Sequence, residues 1–168
     1  MKLLTAAMLA AAMAVAGCAN DPEPTAPPAN TGAGANTAAN AGGPAPNTVE
    51  YFNQVVGDRV FFATDQHRLD SEAQATLRRQ AQWLQSNPGT SVSIEGHADE
   101  RGTRQYNLAL GARRANSVRR YLIAQGVAAN RLRAVTFGKE RPVALCSNDS
   151  CWSQNRRGVS VVAGAPTS

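Results

Sequence analysis

The sequence is short of what catalysis and membrane spanning require. Histidine occurs only twice, at His67 and His97, and two histidines far apart in one chain give no cluster of metal ligands. His97-Ala98-Asp99-Glu100 followed by Cys146 and Cys151 departs from the zinc deaminase pattern, which needs His-x-Glu and a cysteine pair two residues apart. No Gly-x-Ser-x-Gly nucleophile turn and no glycine-rich phosphate loop before a helix are present. The chain is therefore expected to be no enzyme and to need no cofactor. Nor is there an apolar run of the roughly 20 residues that a membrane-spanning helix needs.

What the chain has instead begins at its N-terminus. Met1-Lys2 supplies a positive charge, Leu3 to Ala16 is an apolar stretch rich in alanine, and Gly17 is a small residue at a would-be cleavage point. That is the build of a cleaved export signal over residues 1–17. Val15-Ala16-Gly17-Cys18 resembles the bacterial lipobox, which is cut just before its cysteine so that the thiol can carry diacylglycerol. Several acyl chains on Cys18 would make a lasting anchor in membrane lipid, at about 0.8 kcal/mol per buried CH₂. With Cys18 assigned to lipid, Cys146 and Cys151 are left as an even pair in a compartment that permits disulfides. They are expected to be bonded, and so short a loop gains only about 2 kcal/mol from closure.

Between Ala19 and Thr48 the chain is alanine, proline, asparagine, glycine and threonine with almost no large apolar residue. Such a segment cannot bury enough surface to offset the cost of ordering, so residues 18–48 read as the lipidated cysteine and a linker. As a coil it would average roughly 30 Å end to end and extend to about 100 Å.

The folded domain is expected over 49–168. Arg59 to Ala63 reads as a strand, and Ser71 with Gln74 reads as a capping box opening a helix. Ala73, Leu77, Ala81 and Leu84 recur at helical spacing until Asn87-Pro88-Gly89. Ser91 to Ala98 alternates, with Val92, Ile94, Gly96 and Ala98 on the covered side and Ser91, Ser93, Glu95 and His97 on the wet side. A second helix spans Arg104 to Gln125 with Leu108, Ala112, Ala115, Val118 and Leu122 as its core stripe, and Gly126 stops it. Strands at Leu132 to Phe137 and Val159 to Ala163 complete an α/β two-layer sandwich, two helices on one face of a four-stranded mixed sheet in the order βαβαββ.

Polar residues are densest in Gly96-His97-Ala98-Asp99-Glu100-Arg101-Gly102, where a strand runs into a loop. On the second helix Asn107, Leu110 or Gly111, and Arg114 recur at helical spacing, so Arg114 can point toward the loop bearing Asp99. A carboxylate and a guanidinium set apart in one groove suit a ligand with both an ammonium and a carboxylate. The plain alternative is a solvent-exposed ion pair worth at most about 1 kcal/mol, with no ligand at all.

Gly96 to Arg101, Asn107 to Tyr121, Gly126-Val127 and Phe137-Gly138-Lys139-Glu140-Arg141-Pro142 together resemble the OmpA C-terminal-like domain over most of residues 50 to 163. The lipobox, the linker and Asn155-Arg156-Arg157 narrow the resemblance to the lipid-anchored, wall-binding branch of that family. It implies non-covalent binding of the peptidoglycan stem peptide at meso-diaminopimelate, with Asp99 taking the free ammonium and Arg114 the carboxylate. Asp65, Asn107 and Leu110 fall at further site positions. It also implies anchoring in outer-membrane lipid through Cys18, since Ala19 is not Asp, and partnership with TolB and other Tol proteins in envelope integrity and cell division. The loop Cys146-Ser147-Asn148-Asp149-Ser150-Cys151 is not general to the family.

Two other classes remain to be weighed. A protein-interaction module of the periplasm or a wall-modifying hydrolase is the alternative function. Nucleic-acid binding is suggested by sixteen Lys and Arg against ten Asp and Glu from Val49 onward, a net charge of plus six. Export argues against nucleic acid, and anionic wall polymer or lipid accounts for the same charge.

Overall fold

The computed structural model of the chain describes residues 43–163. The signal segment, Cys18 and most of the expected linker lie outside the described residues. The linker's last residues are placed: the Trp83 indole donates a 2.7 Å hydrogen bond to the Pro46 carbonyl.

A short helix α1 (Val49–Tyr51) opens the fold and continues as a π-helical segment, Phe52–Gly57. The sequence reading had no helix before the first strand. Thr48 caps it by accepting from the Tyr51 N–H, and the fully buried Phe52 ring packs 4.9 Å from that of Trp83. Strand β1 (Arg59–Phe61) follows, then α2 (Ser71–Ser86), β2 (Ser91–His97), α3 (Arg104–Ala124), a 3-10 turn (Ala129–Arg131) and β3 (Leu132–Gly138). A helix that the sequence reading left as loop, α4 (Asp149–Asn155), precedes the last strand β4 (Arg157–Ala163).

The strands lie in the order β1-β4-β2-β3. β4 is antiparallel to both of its neighbours and β2 is parallel to β3, so β1, β2 and β3 all run one way. Their C-terminal ends, together with the start of β4, therefore gather at one end of the sheet. The α/β two-layer sandwich is as expected, with α1 and α4 as additions.

Apolar residues at helical and at two-residue spacing meet in one core. Leu77, Ala81 and Leu84 of α2 and Ala115, Val118 and Leu122 of α3 close over Val60, Val92, Ile94 and Leu132 of the sheet. Each fully buried Leu, Ile or Phe contributes roughly 1.5–3 kcal/mol of transfer free energy.

The start of α2 differs by one residue from the reading above. Asp70, in extended conformation, is the cap and accepts the Ala73 N–H at 2.8 Å, while the Gln74 amide turns back to the Leu69 carbonyl at 3.0 Å. An aspartate at the cap also places negative charge at the positive end of the helix dipole. The wet face of β2 is likewise only half wet. Ser91 is exposed, Ser93 and Glu95 are half-buried, and His97 is 1% exposed.

Helix α3 is seated by a contact between two glycines. A Cβ on Gly111 would lie 2.5 Å from Thr136 Oγ1 and 2.7 Å from the Gly96 carbonyl oxygen. Only two residues without side chains let the first half of α3 approach β2 so closely. That approach buries Asn107, Leu110 and Arg114, whereas Leu108 and Ala112 of the expected stripe are only half-buried.

Candidate functional site

The site end of the sheet is built from three loops and two helices. Asp99 follows β2, and the Ala98 N–H extends the pairing with β3 by donating to the Gly138 carbonyl at 2.8 Å. Held on this rigid strand, Asp99 is 8% exposed. Its carboxylate accepts the backbone N–H of Arg101 at 3.2 Å and the same residue's Nε at 3.2 Å and Nη2 at 2.7 Å. Arg156, between α4 and β4, adds a longer contact of 3.5 Å from Nη1. Burial pushes the Asp99 pKa up, but the hydrogen bonds from Arg101 and Arg156 outweigh it and hold the carboxyl below its ordinary value.

Arg114 is fully buried, which removes the reading of it as half of an exposed ion pair. From α3 it reaches three backbone carbonyls: Nε donates to Gln66 at 2.8 Å, Nη1 to His97 at 2.8 Å and Nη2 to Ala63 at 3.2 Å. It thereby ties the loop after β1 to the end of β2, two residues from Asp99. Its guanidinium carbon lies 5.2 Å from the centre of the Phe62 ring. Burial lowers its pKa to about 10, with Asp99, Asp65 and Tyr106 opposing the shift, so it stays charged at neutral pH. Three of its five N–H groups are used in these bonds and two remain.

Asn107, one turn into α3, is 1% exposed and donates from Nδ2 to the Arg101 carbonyl at 2.7 Å, holding the Asp99 loop against the helix. Leu110, on the same helix, is 3% exposed. Asp65 has a positive φ of 55°, in the left-handed region that aspartate tolerates better than most residues. Its exposed carboxylate takes the Tyr106 hydroxyl at 3.4 Å. The structure thus gathers Asp65, Asp99, Asn107, Leu110 and Arg114 at one end of the sheet, with no direct bond between Asp99 and Arg114.

Sequence reasoning overlooked four neighbours. Arg101 and Arg156 both contact Asp99, and Tyr106 contacts Asp65. Trp152, on α4, carries the Arg101 guanidinium over its ring at 4.2 Å and donates from Nε1 to Glu100 Oε1 at 3.2 Å. Arg156 is 6% exposed and is fixed from Nε to the Phe62 carbonyl at 3.0 Å. A signal for Arg156 was present in Asn155-Arg156-Arg157, but nothing local marks Trp152, because α4 itself was not foreseen. The Cys146–Cys151 disulfide forms, with Cα atoms 5.6 Å apart, and closes the chain onto the first turn of α4.

The His97 carbonyl is bonded to Arg114, but its imidazole is not hydrogen-bonded. Among the described residues both ring nitrogens lack a partner, Nε2 lying 3.4 Å from Glu95 Oε2 outside hydrogen-bond geometry. The ring stacks on Phe137 at 5.6 Å. Burial first, then the positive charges of Arg157 and Arg141, lowers its pKa to about 4 and keeps it neutral. Among the described residues no helix is long and apolar enough to cross a membrane.

Comparison with known proteins shows the family. Residues 61–156 match the OmpA family. The chain is 52% identical to the peptidoglycan-associated lipoprotein of Rhizobium meliloti, over 91% of this chain and 84% of that one. It is 51% identical to the protein of the same name from Agrobacterium fabrum, over 92% and 84%. The crystal structure of the peptidoglycan-associated lipoprotein from Burkholderia pseudomallei superposes with a TM-score of 0.64 at 42% identity, covering 66% of this chain and 96% of that one.

Proposed function

The chain belongs to the OmpA family, and on that premise we propose that it is a lipoprotein that ties a membrane to the cell wall by holding peptidoglycan without a covalent bond. The observation that carries the reading is the pairing at the site end of the sheet. A mostly buried carboxylate, Asp99, sits one loop away from a fully buried guanidinium, Arg114, that keeps two N–H groups in reserve.

The ligand is the side-chain end of meso-diaminopimelate in the stem peptide. Its ammonium goes to Asp99 and its carboxylate to Arg114, and each contact is charge-assisted in a place where water competes poorly. Asp65 adds a second negative group on the ammonium side, Asn107 fixes the loop, and Leu110 forms the apolar floor. The work of the site is binding, and no bond is made or broken in it. Soluble fragments released from purified wall by the chain would contradict this.

The anchor is acylated Cys18 in the outer membrane, and replacing it with alanine should release a chain that still sediments with wall. TolB and other Tol proteins are the proposed protein partners, with TolB competing for the wall site. Wall fragments should then displace TolB in a pull-down. No role for nucleic acid is needed.

Co-sedimentation with purified peptidoglycan tests the site. Asp99→Ala should abolish it with an unchanged circular dichroism spectrum. For Arg114 the informative change is Arg114→Lys, because alanine would leave three buried carbonyls unpaired and unfold the site end. The lysine variant keeps the charge but loses the fork, so binding should fall at least tenfold. Wild-type sedimentation by both variants would reject this site.

A further inference from the structure

Without ligand, the ammonium's place at Asp99 is already taken. Arg101 grips the carboxylate from Nε at 3.2 Å and Nη2 at 2.7 Å. The second cation there, Arg156, stands farther off, at 3.5 Å, and is buried and anchored to the Phe62 carbonyl. Of the two, only Arg101 is free to leave. Its side chain is 40% exposed, and among the described residues its one further polar contact, to Thr64 Oγ1, is stretched to 3.5 Å.

It also has a contact that would hold it once Asp99 is given up. The Arg101 guanidinium already lies over the Trp152 ring at 4.2 Å, and that ring is pinned through Nε1 to Glu100 and carried on α4 behind the disulfide. A guanidinium on an indole face keeps a favourable contact without a carboxylate.

From this we infer that Arg101 is a latch: a cation belonging to the protein that occupies Asp99 until an ammonium ligand displaces it, leaving it held by Trp152 alone. The inference rests on the reading of Asp99 as the ammonium site. It makes Arg101 a residue that sets affinity and selectivity by competition. An amine alone gains little, because it trades one cation for another at Asp99. A ligand that also engages Arg114 gains a second contact that the latch does not oppose. Arg156 stays in place in both states and keeps Asp99 ionised.

Isothermal titration of the full chain in detergent with a stem tetrapeptide containing meso-diaminopimelate separates the outcomes. An ion pair exposed on the arginine side opposes binding modestly, so Arg101→Gln should tighten the complex roughly two- to fivefold. Ligand should also shift tryptophan fluorescence in the wild-type chain as Arg101 gives up Asp99 and its contact with Trp152 changes, and that shift should be lost in Arg101→Gln. Asp99→Asn should abolish binding whether or not Arg101 is present. If Arg101→Gln weakens binding or leaves it unchanged while Asp99→Asn abolishes it, the latch is wrong and the site stands. If Asp99→Asn binds like wild type, both fall.

Discussion

Helices α2 and α3 lie on the same sheet and bury similar lengths of chain, yet they do it with different materials. The inward side of α2 is Ala73, Leu77, Ala81 and Leu84, with one buried amide, Gln80, that donates to the Gly57 carbonyl and accepts from Ser160. It is neutral and fully paired. The inward side of α3 changes character halfway. Ala115, Val118 and Leu122 continue the core, but the first half buries Asn107 and the charged Arg114. The Gly96–Gly111 contact decides which half does which, because it presses the start of α3 against the strand ends where loop carbonyls await donors. A helix can thus be core at one end and site at the other, provided the backbone comes close enough to replace solvent with carbonyls.

The strongest way to break that contrast is to separate the glycines. On Gly96 a Cβ would fall within bonding range of the Gly111 carbonyl, which is backbone and cannot step aside. Gly96→Ala is expected to cost more than about 4 kcal/mol, the range reserved for severe core clashes, and to leave little folded chain by circular dichroism. Next come matched changes in the two helices. Leu77→Ala should lower stability by about 2–5 kcal/mol in urea denaturation yet leave wall binding by the folded fraction intact. Arg114→Ala should lower it by roughly 1–3 kcal/mol for each buried carbonyl left without a donor, and remove binding with it.

Acid should sharpen the comparison through His97, which packs at the same end as α3's polar half. Its folded-state pKa of about 4 is below the unfolded value of 6.5, so the unfolded chain binds the proton more readily. Stability is therefore full above about pH 6.5 and declines between there and pH 4, by up to about 3 kcal/mol. In thermal melts His97→Phe should flatten that decline, and a decline of wild-type size in the variant would assign it elsewhere. The smallest effect is expected from α4: Cys146→Ser with Cys151→Ser should cost about 2 kcal/mol or less.

Most of the sandwich was legible because its elements are long and periodic. Val92 and Ile94 alternate, and Leu77, Ala81 and Leu84 repeat at helical spacing, so sheet and helices followed from pattern alone. Short elements fixed by tertiary contact were not legible. Helix α4 is a run of Asp, Ser, Cys, Trp and Gln with no stripe, started by the Asn148 side chain accepting from the Ser150 N–H. The helix before β1 depends on Phe52 meeting Trp83, a contact no local pattern announces. That the Asp99 loop and Arg114 share one end of the sheet was legible because a strand end and a helix face predict where side chains point, while the roles given to them came from the family resemblance. That Arg114 is buried, and that Asp99 already holds a cation, are facts of packing between loops. Spacing cannot express them.

The direction of the strands has a mechanical consequence. Pro46 meets α2 near Trp83, close to where β1 and β2 begin, whereas Asp99 and Asp65 lie where those strands end. In the proposed tether, tension from the membrane is applied at one end of the sheet and resisted by the wall at the other. The force then runs parallel to the strands, so the bonds between β1 and β4 are loaded in shear and must yield together. Attached at the same end, the linker would peel β1 away one bond at a time.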